Sequence, residues 1–568
     1  MSRLRLVVVG ALLPLAAGGC GGRSPAPADP GTREAVVSEE RPAADRPVSR
    51  PSRDKMLAGA LAVLDRLDDF DEARGAELVF DRLNQWSQAS QIGANAGDWR
   101  PDPLLETLPE GLRSLATADA LESPAFTLDG DVVFLRDQRW LADIARIVRS
   151  GAVDDLDVAE RLFRWTVRSL ALSGDPPMVP TAATPGTRWF LPGEILLAGR
   201  ASGPQRAWIF LQLLRHAGFD GVMLATGDRA TGRPRPWVPA AVIDGEAYLF
   251  EPVYGMPIPG PGGVGIATVR QAAADPAVLA SLSLPERPYP LGPRDMQGLS
   301  ILVAADPWSL ARRSHLLDRH VRAAREMRVA VDAARIAAAG RAALPGRPVE
   351  AEDDGAAEPA PEPSTGLWEF PWETLARRQR EAPAVQMALR RELAPLELPA
   401  VAAAGLAGSE ARPPVRPLLA ARIREFRGDL DGPAGAKAAY MAARPGRDAL
   451  RAALAGVPEE QSVAIGGLYR QMKEDATYWL GVLTLAEGED ATAAEYLGRM
   501  TLEAAPDSRW ADAARANLAQ ALIGLGRTPE AIALLRADQS PQRFGSRVLA
   551  NRLEAAAKLP QPEPRNGP

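Results

Sequence analysis

Side chains able to do nucleophilic or metal chemistry are scarce in this chain of 568 residues. Cysteine occurs once, as Cys20, and histidine three times, as His216, His315 and His320. A single thiol excludes an internal disulfide and a cysteine-based zinc site. Nucleophilic catalysis needs a hydroxyl or thiol within reach of a base. Ser202 stands at a predicted helix start, followed by Gly203, Pro204, Gln205 and Arg206. His216 lies roughly three turns along that same helix, too far to act on Ser202. His315 and His320 fall in a basic stretch with no evident partner. Gln205 and Arg206 offer donors to an anion or a carbonyl, and Trp189 and Trp237 offer rings for a sugar to stack on. These residue types imply no cofactor and no bound metal.

Cys20 has a context of its own. Arg3 and Arg5 precede an apolar run from Leu6 to Ala17, and Gly18 and Gly19 lead to the cysteine. This is the order of a secretory signal, and the run is shorter than the roughly 20 residues of a spanning helix. The Ala17-Gly18-Gly19-Cys20 ending resembles a bacterial lipobox. The resemblance implies a signal peptide over 1–19, lipid on Cys20, export to the cell envelope, and attachment to a membrane through the acyl group. With Gly21 rather than aspartate next, it implies the outer membrane. It also leaves no free thiol for catalysis.

The bulk numbers are those of an ordinary globular protein: 46% hydrophobic, 24% charged and a net charge of only -6. No basic tract points to nucleic acid. Residues 20–53 are rich in Pro, Ala and charge and are expected to be a disordered tether. Residues 54–150 are read as a helical region, its first helix capped by Asp54 and starting near Lys55. Residues 306–349 form a basic helical segment carrying Arg312, Arg313, Arg319, Arg322, Arg325 and Arg328, read as a solvated helix face. An acidic, Pro-rich linker follows over 350–366, then connecting helices over 367–417 and a disordered tail over 560–568.

Between these, 151–305 carries the densest signals. Ala207, Phe210, Leu211 and Leu214 recur at helical spacing up to Gly218, which suits a C-cap. Val222–Ala225 reads as a buried strand, and Trp237–Ile243 with Ala247–Phe250 as a hairpin around Asp244-Gly245. Residues Ala201 to Pro252 resemble the core of the transglutaminase-like, papain-related superfamily. The match rests on Ala207, Leu214, Arg215, Gly218, Trp237, the Asp244-Gly245 turn and Pro252. The resemblance implies a helix packed on a small antiparallel sheet. It also places the cysteine, histidine and acidic triad positions at Gly203, Arg235 and Glu251. Glycine supplies no nucleophile, and arginine stays protonated and cannot act as a base. The implied domain is therefore catalytically inactive, with Arg235 and Glu251 facing each other as a salt bridge. Gln205, Arg206 and Trp237 would then line any retained ligand groove.

From 418 to 559 the chain reads as all-helical. Leu480, Gly481, Gly488, Ala493 and Leu497 correspond to Leu518, Ala519, Gly526, Ala531 and Leu535 at an offset of 38 residues. These offsets resemble the tetratricopeptide repeat, a helical hairpin of about 34 residues. That resemblance implies a surface for protein or peptide partners. The fold class is thus α+β and mainly helical, with a transglutaminase-like core and a helical-repeat end. The function expected is an anchored binding or scaffolding protein. The alternatives are a divergent hydrolase or transglutaminase-like enzyme with relocated residues, and a binder of cell-wall glycan or peptide.

Overall fold

Local turn chemistry organises the central sheet. The structure, a computed structural model, describes residues 50–67, 72–91, 99–174, 189–227, 233–345, 364–401 and 415–558. Cys20, the tether as far as residue 49, the tail and most of the acidic linker lie outside these residues, while the last four tether residues are helical. The architecture is mainly helical α+β. A two-stranded parallel pair joins β1 (Ala171–Leu172) to β2 (Arg200–Ala201). The main sheet comprises β3 (Asp220–Gly227), β4 (Pro234–Ile243), β5 (Glu246–Glu251), β6 (Met256–Pro257), β7 (Ser300–Val303) and β8 (Thr365–Leu367). Its order is β6-β5-β4-β3-β7-β8. The β4–β5 hairpin turns on Asp244 and Gly245 at φ 50° and 76°, the left-handed pair required by a two-residue turn.

Both faces of the sheet are covered, so alternate residues enter two different cores. Met223, Ala225, Ala241, Ile243, Phe250 and Leu302 join the core shared with the helix Gly203–Ala217. Val222, Leu224, Ala240, Leu249 and Ile301 face the other way, in the core that contains Ala333, Ile336 and Ala337. The helix Gly203–Ala217 begins and ends as its sequence predicts. Ser202 caps it in a capping box with Gln205, and Gly218 closes it at φ 106°.

Several expectations are corrected. The first helix runs Arg50–Leu64, so Asp54 lies inside it rather than at its cap. Residues 306–349 are not one solvated basic face. They contain the helices Pro307–Leu310, Arg312–Arg325 and Ala333–Ala343, the last packed on the sheet. Arg313 is buried, bonded to Asp131 at 2.6 Å and donating to the Ala120 carbonyl at 2.8 Å. Thr365 and Gly366, assigned to the linker, form the start of β8 and run parallel to β7. Three residues held by main-chain bonds have no side-chain period to betray them.

The C-terminal helices are continuous with the central core. The hairpin of Glu459–Ala486 with Asp490–Ala494 turns at Gly488, and that of Ala511–Gly524 with Thr528–Arg536 turns at Gly526. Both turn glycines have positive φ, 78° and 72°. Ala493, Leu497, Ala531 and Leu535 are all buried in the core that also holds Phe163, Phe210 and Phe250. The helix Arg543–Ala557 follows the second hairpin.

Candidate functional site

The start of the helix Gly203–Ala217 brings some of the expected residues together and closes the space between them. A Cβ on Gly203 would stand 2.7 Å from Val253 Cγ2, so the position has no room for a side chain unless Val253 moves. The Ser202 hydroxyl accepts from the Gln205 N–H at 3.4 Å, and the Gln205 side-chain oxygen accepts from the Ser202 N–H at 3.0 Å. Both side chains therefore complete the helix cap and are buried.

Arg206 is buried as well, and its partners are neutral. Its Nε donates to the Leu170 carbonyl at 2.8 Å and one Nη to the Pro252 carbonyl at 2.9 Å and Gln542 Oε1 at 2.8 Å. The other Nη donates to the Val167 carbonyl at 3.3 Å. Burial pulls its pKa down to about 9, leaving it charged at neutral pH. Arg206 thus clamps the helix start to three distant segments and, as expected of it, also lines an open cavity.

Glu251, at the end of β5, is the neighbour of this cap. Its Oε1 accepts from the Val253 N–H at 3.0 Å and its Oε2 from the Tyr289 hydroxyl at 2.6 Å. Trp237 Nε1 in turn donates to the Tyr289 oxygen at 2.8 Å. Burial raises the Glu251 pKa, with the Tyr289 hydrogen bond opposing. Burial also drives the Tyr289 phenol well up, reinforced by the Glu251 charge. An indole N–H donates and cannot accept, so no proton can pass from Tyr289 to Trp237, and the chain stops at the phenol.

The expected Arg235–Glu251 salt bridge does not form. Arg235 is exposed and pairs in register with Thr226 on β3, on the far side of β4 from β5. Trp189 is no free stacking ring either, because Phe370 packs on it at 6.2 Å and the Arg377 guanidinium covers it at 4.6 Å. Sequence reasoning missed Tyr289, Val253 and Gln542. Tyr289, an aromatic held between Pro288 and Pro290, was the one with a local signal.

Two of the histidines are held by partners that are not nucleophiles. His216 Nδ1 accepts from the Arg328 N–H at 3.2 Å, so its Nε2–H faces Gln138 Oε1 at 3.1 Å. His320 meets Trp86 edge-on at 5.4 Å. Burial, then the charges of Arg215, Arg328 and Arg139, hold the His216 pKa well below the usual value. The unfolded chain therefore takes up a proton near pH 6.5 that the folded chain refuses, and stability falls as pH drops through that value. Between pH 7.5 and 5.5 this linkage removes about 1.4 kcal/mol. Buried Asp137, Asp143 and Asp306, raised by desolvation, act in the opposite sense, so a variant is needed to isolate the histidine. Urea unfolding of wild type and His216→Gln at both pH values should show the wild type losing about 1.4 kcal/mol more. Equal losses would mean that His216 is protonated in the fold.

The open space begins at Arg206 and extends away from the cap. A cavity of about 1000 Å³ separates the helix Asp155–Ser169 and the Tyr254–Pro257 turn from the helices Ala511–Gly524 and Arg543–Ala557. Phe163, Phe190, Met256 and Leu549 give it apolar walls, and Asn517 and Gln520 add amides. Arg168 also lines it, with its Nε unbonded and its pKa pulled down to about 10 by burial. The volume is that of a small-molecule or short-peptide site. Among the described residues no group of three or more His, Cys, Asp or Glu could hold a metal ion, and no helix is long and apolar enough to cross a membrane. No protein-family model, no curated protein and no solved structure matches this chain.

Proposed function

We propose that this chain is an exported, lipid-anchored protein of the cell envelope that binds a ligand rather than transforming one. In this reading a catalytically inactive transglutaminase-like core and tetratricopeptide-like hairpins together wall the binding cleft. The observation that carries the reading is the contrast between two places. At Gly203 a side chain would first have to displace Val253, and Ser202 and Gln205 are engaged in the helix cap, whereas the 1000 Å³ cavity against the C-terminal hairpins is open. The Arg3, Arg5 and Cys20 arrangement supports export and acylation.

The catalytic alternative rests on Ser202. A fluorophosphonate probe is expected to leave the folded protein unlabelled, and labelling at Ser202 would overturn the non-catalytic reading. The cleft is tested with anilinonaphthalene sulfonate, an amphiphilic probe. Its fluorescence should rise with the wild type and fall back in Ala516→Trp, which places an indole in the cavity. Equal fluorescence with both proteins would remove the cleft as the binding site. Incorporation of an alkynyl palmitate in cells, lost in Cys20→Ala, tests the anchor.

A further inference from the structure

A second cavity, of about 1020 Å³, lies where the end of the helix Gly203–Ala217 meets the helix Arg312–Arg325. Arg312, His315, Arg319 and Arg322 recur at helical spacing and form one face of the latter helix, turned to this cavity. The opposite face, with Leu317 and Val321, is buried in the protein. Arg215, Arg328 and Arg335 enter the same cavity from neighbouring segments.

The carboxylates present do not neutralise this set. Asp220 is held by Arg335 through two bonds of 2.8 Å. Asp318 binds Arg322 and also accepts from the N–H groups of Val329 and Ala330 at 2.8 and 3.1 Å. Asp332 caps its own helix through the Arg335 N–H at 3.0 Å. Arg215, Arg312, Arg319 and Arg328 remain, and none of these four pairs with a carboxylate among the described residues. Arg215 donates instead to the Ala304 carbonyl at 2.7 Å. Burial lowers the pKa of both Arg215 and Arg328; the charges of Asp306 and Asp318 oppose this at Arg215, and at Arg328 the Arg322 charge adds to it while Asp318 and Asp220 oppose.

We propose that this cavity is a binding site for a soluble, multiply charged phosphate compound, such as a pyrophosphate or a phosphate ester, held by Arg215, Arg312, Arg319 and Arg328. Guanidinium groups match phosphate oxygens with paired, charge-assisted hydrogen bonds. Four cations converging on one recess suit a ligand with more than one negative charge. Arg215 lies within the recess, on a helix that packs against the sheet, and reaching it favours a free anion over one fixed at a membrane surface. Trp99 and Phe219 line the same space and would face the organic part of an ester.

The test is calorimetric titration of the full chain with inorganic pyrophosphate at low salt. One-to-one binding is expected, weakened at least about tenfold in Arg312→Gln/Arg328→Gln. Those two arginines hold no carboxylate, so the variant should keep the wild-type melting temperature. Arg390→Gln, an exposed arginine outside this cavity, should bind as the wild type does. Absence of binding to wild type at millimolar pyrophosphate, or equal binding by the double variant, would overturn the site. Phosphatidylcholine vesicles containing phosphatidic acid form the second arm. They should not displace pyrophosphate, and displacement at equal phosphate concentration would overturn the assignment to a soluble ligand.

Discussion

Gly199→Ala should cost the fold about 4 kcal/mol, the sum of two independent penalties. Gly199 ends the helix Pro192–Ala198 with φ 64°, a left-handed conformation costing a residue with a Cβ about 1–2 kcal/mol. The second penalty is steric. A Cβ there would lie 2.1 Å from Trp479 Cζ2 and 2.5 Å from its Cη2. Trp479 has no freedom to retreat, since the Arg422 guanidinium covers its ring at 3.5 Å and Trp510 meets it edge-on at 5.1 Å. Forcing a methyl into such packing costs about 1–3 kcal/mol. The main chain cannot shift either without breaking the 2.9 Å bond from the Ala171 N–H to the Gly199 carbonyl, which joins β1 to β2. Denaturant unfolding monitored by tryptophan fluorescence would measure the loss. A loss under about 1 kcal/mol would mean that the aromatic cluster is loosely packed.

Asp475→Ala should cost about 2–4 kcal/mol, because it leaves the buried Trp510 indole without its acceptor and takes from the largely buried Arg509 the nearer of its two carboxylates. Asp475 is 1% exposed. It accepts from Trp510 Nε1 at 2.6 Å and from Arg509 through bonds of 3.0 and 2.6 Å. Burial raises its pKa, with Arg509 and then Trp510 opposing. Because Arg509 lines the large cavity and its remaining carboxylate, Glu392, is 3.6 Å away, the substitution should also loosen that wall. Asp475→Asn keeps the shape and one acceptor and should recover about half the loss. Chemical unfolding of the three proteins decides the matter. Equal stability of Ala and wild type would show that desolvating Asp475 costs as much as its three bonds return.

The central sheet was legible where local chemistry fixes the chain. Asp244-Gly245 allows few conformations other than a tight hairpin turn, and the period-2 residues beside it distribute between two cores as the pattern implies. Gly218 and the pairs Gly488/Gly526 and Ala493/Ala531 were readable for the same reason, since a left-handed turn or a close helix approach favours a small residue. Ser202 and Gln205 were found by sequence but assigned the wrong work. Their spacing is that of a capping box, and the cap engages the Ser202 hydroxyl oxygen and the Gln205 side-chain oxygen. β8 and Tyr289 were not legible in their roles, because their partners lie far along the chain.

The sequence by itself determined that position 203 carries no nucleophile and that Arg235 cannot act as a base. It also determined the hairpin, the helix and its caps, all of which depend on interactions within a few residues. Only the tertiary structure decided what happens to the charged groups left over. It sends Arg235 to the surface, buries Arg206 among carbonyls from Val167, Leu170 and Pro252 and the amide of Gln542, and ties Glu251 to Tyr289. It gathers arginines from separate helices around one recess. The reason is physical. A charge is neutralised or left exposed according to which distant segments pack around it, and that packing is set by apolar burial across the whole chain, which no local pattern records.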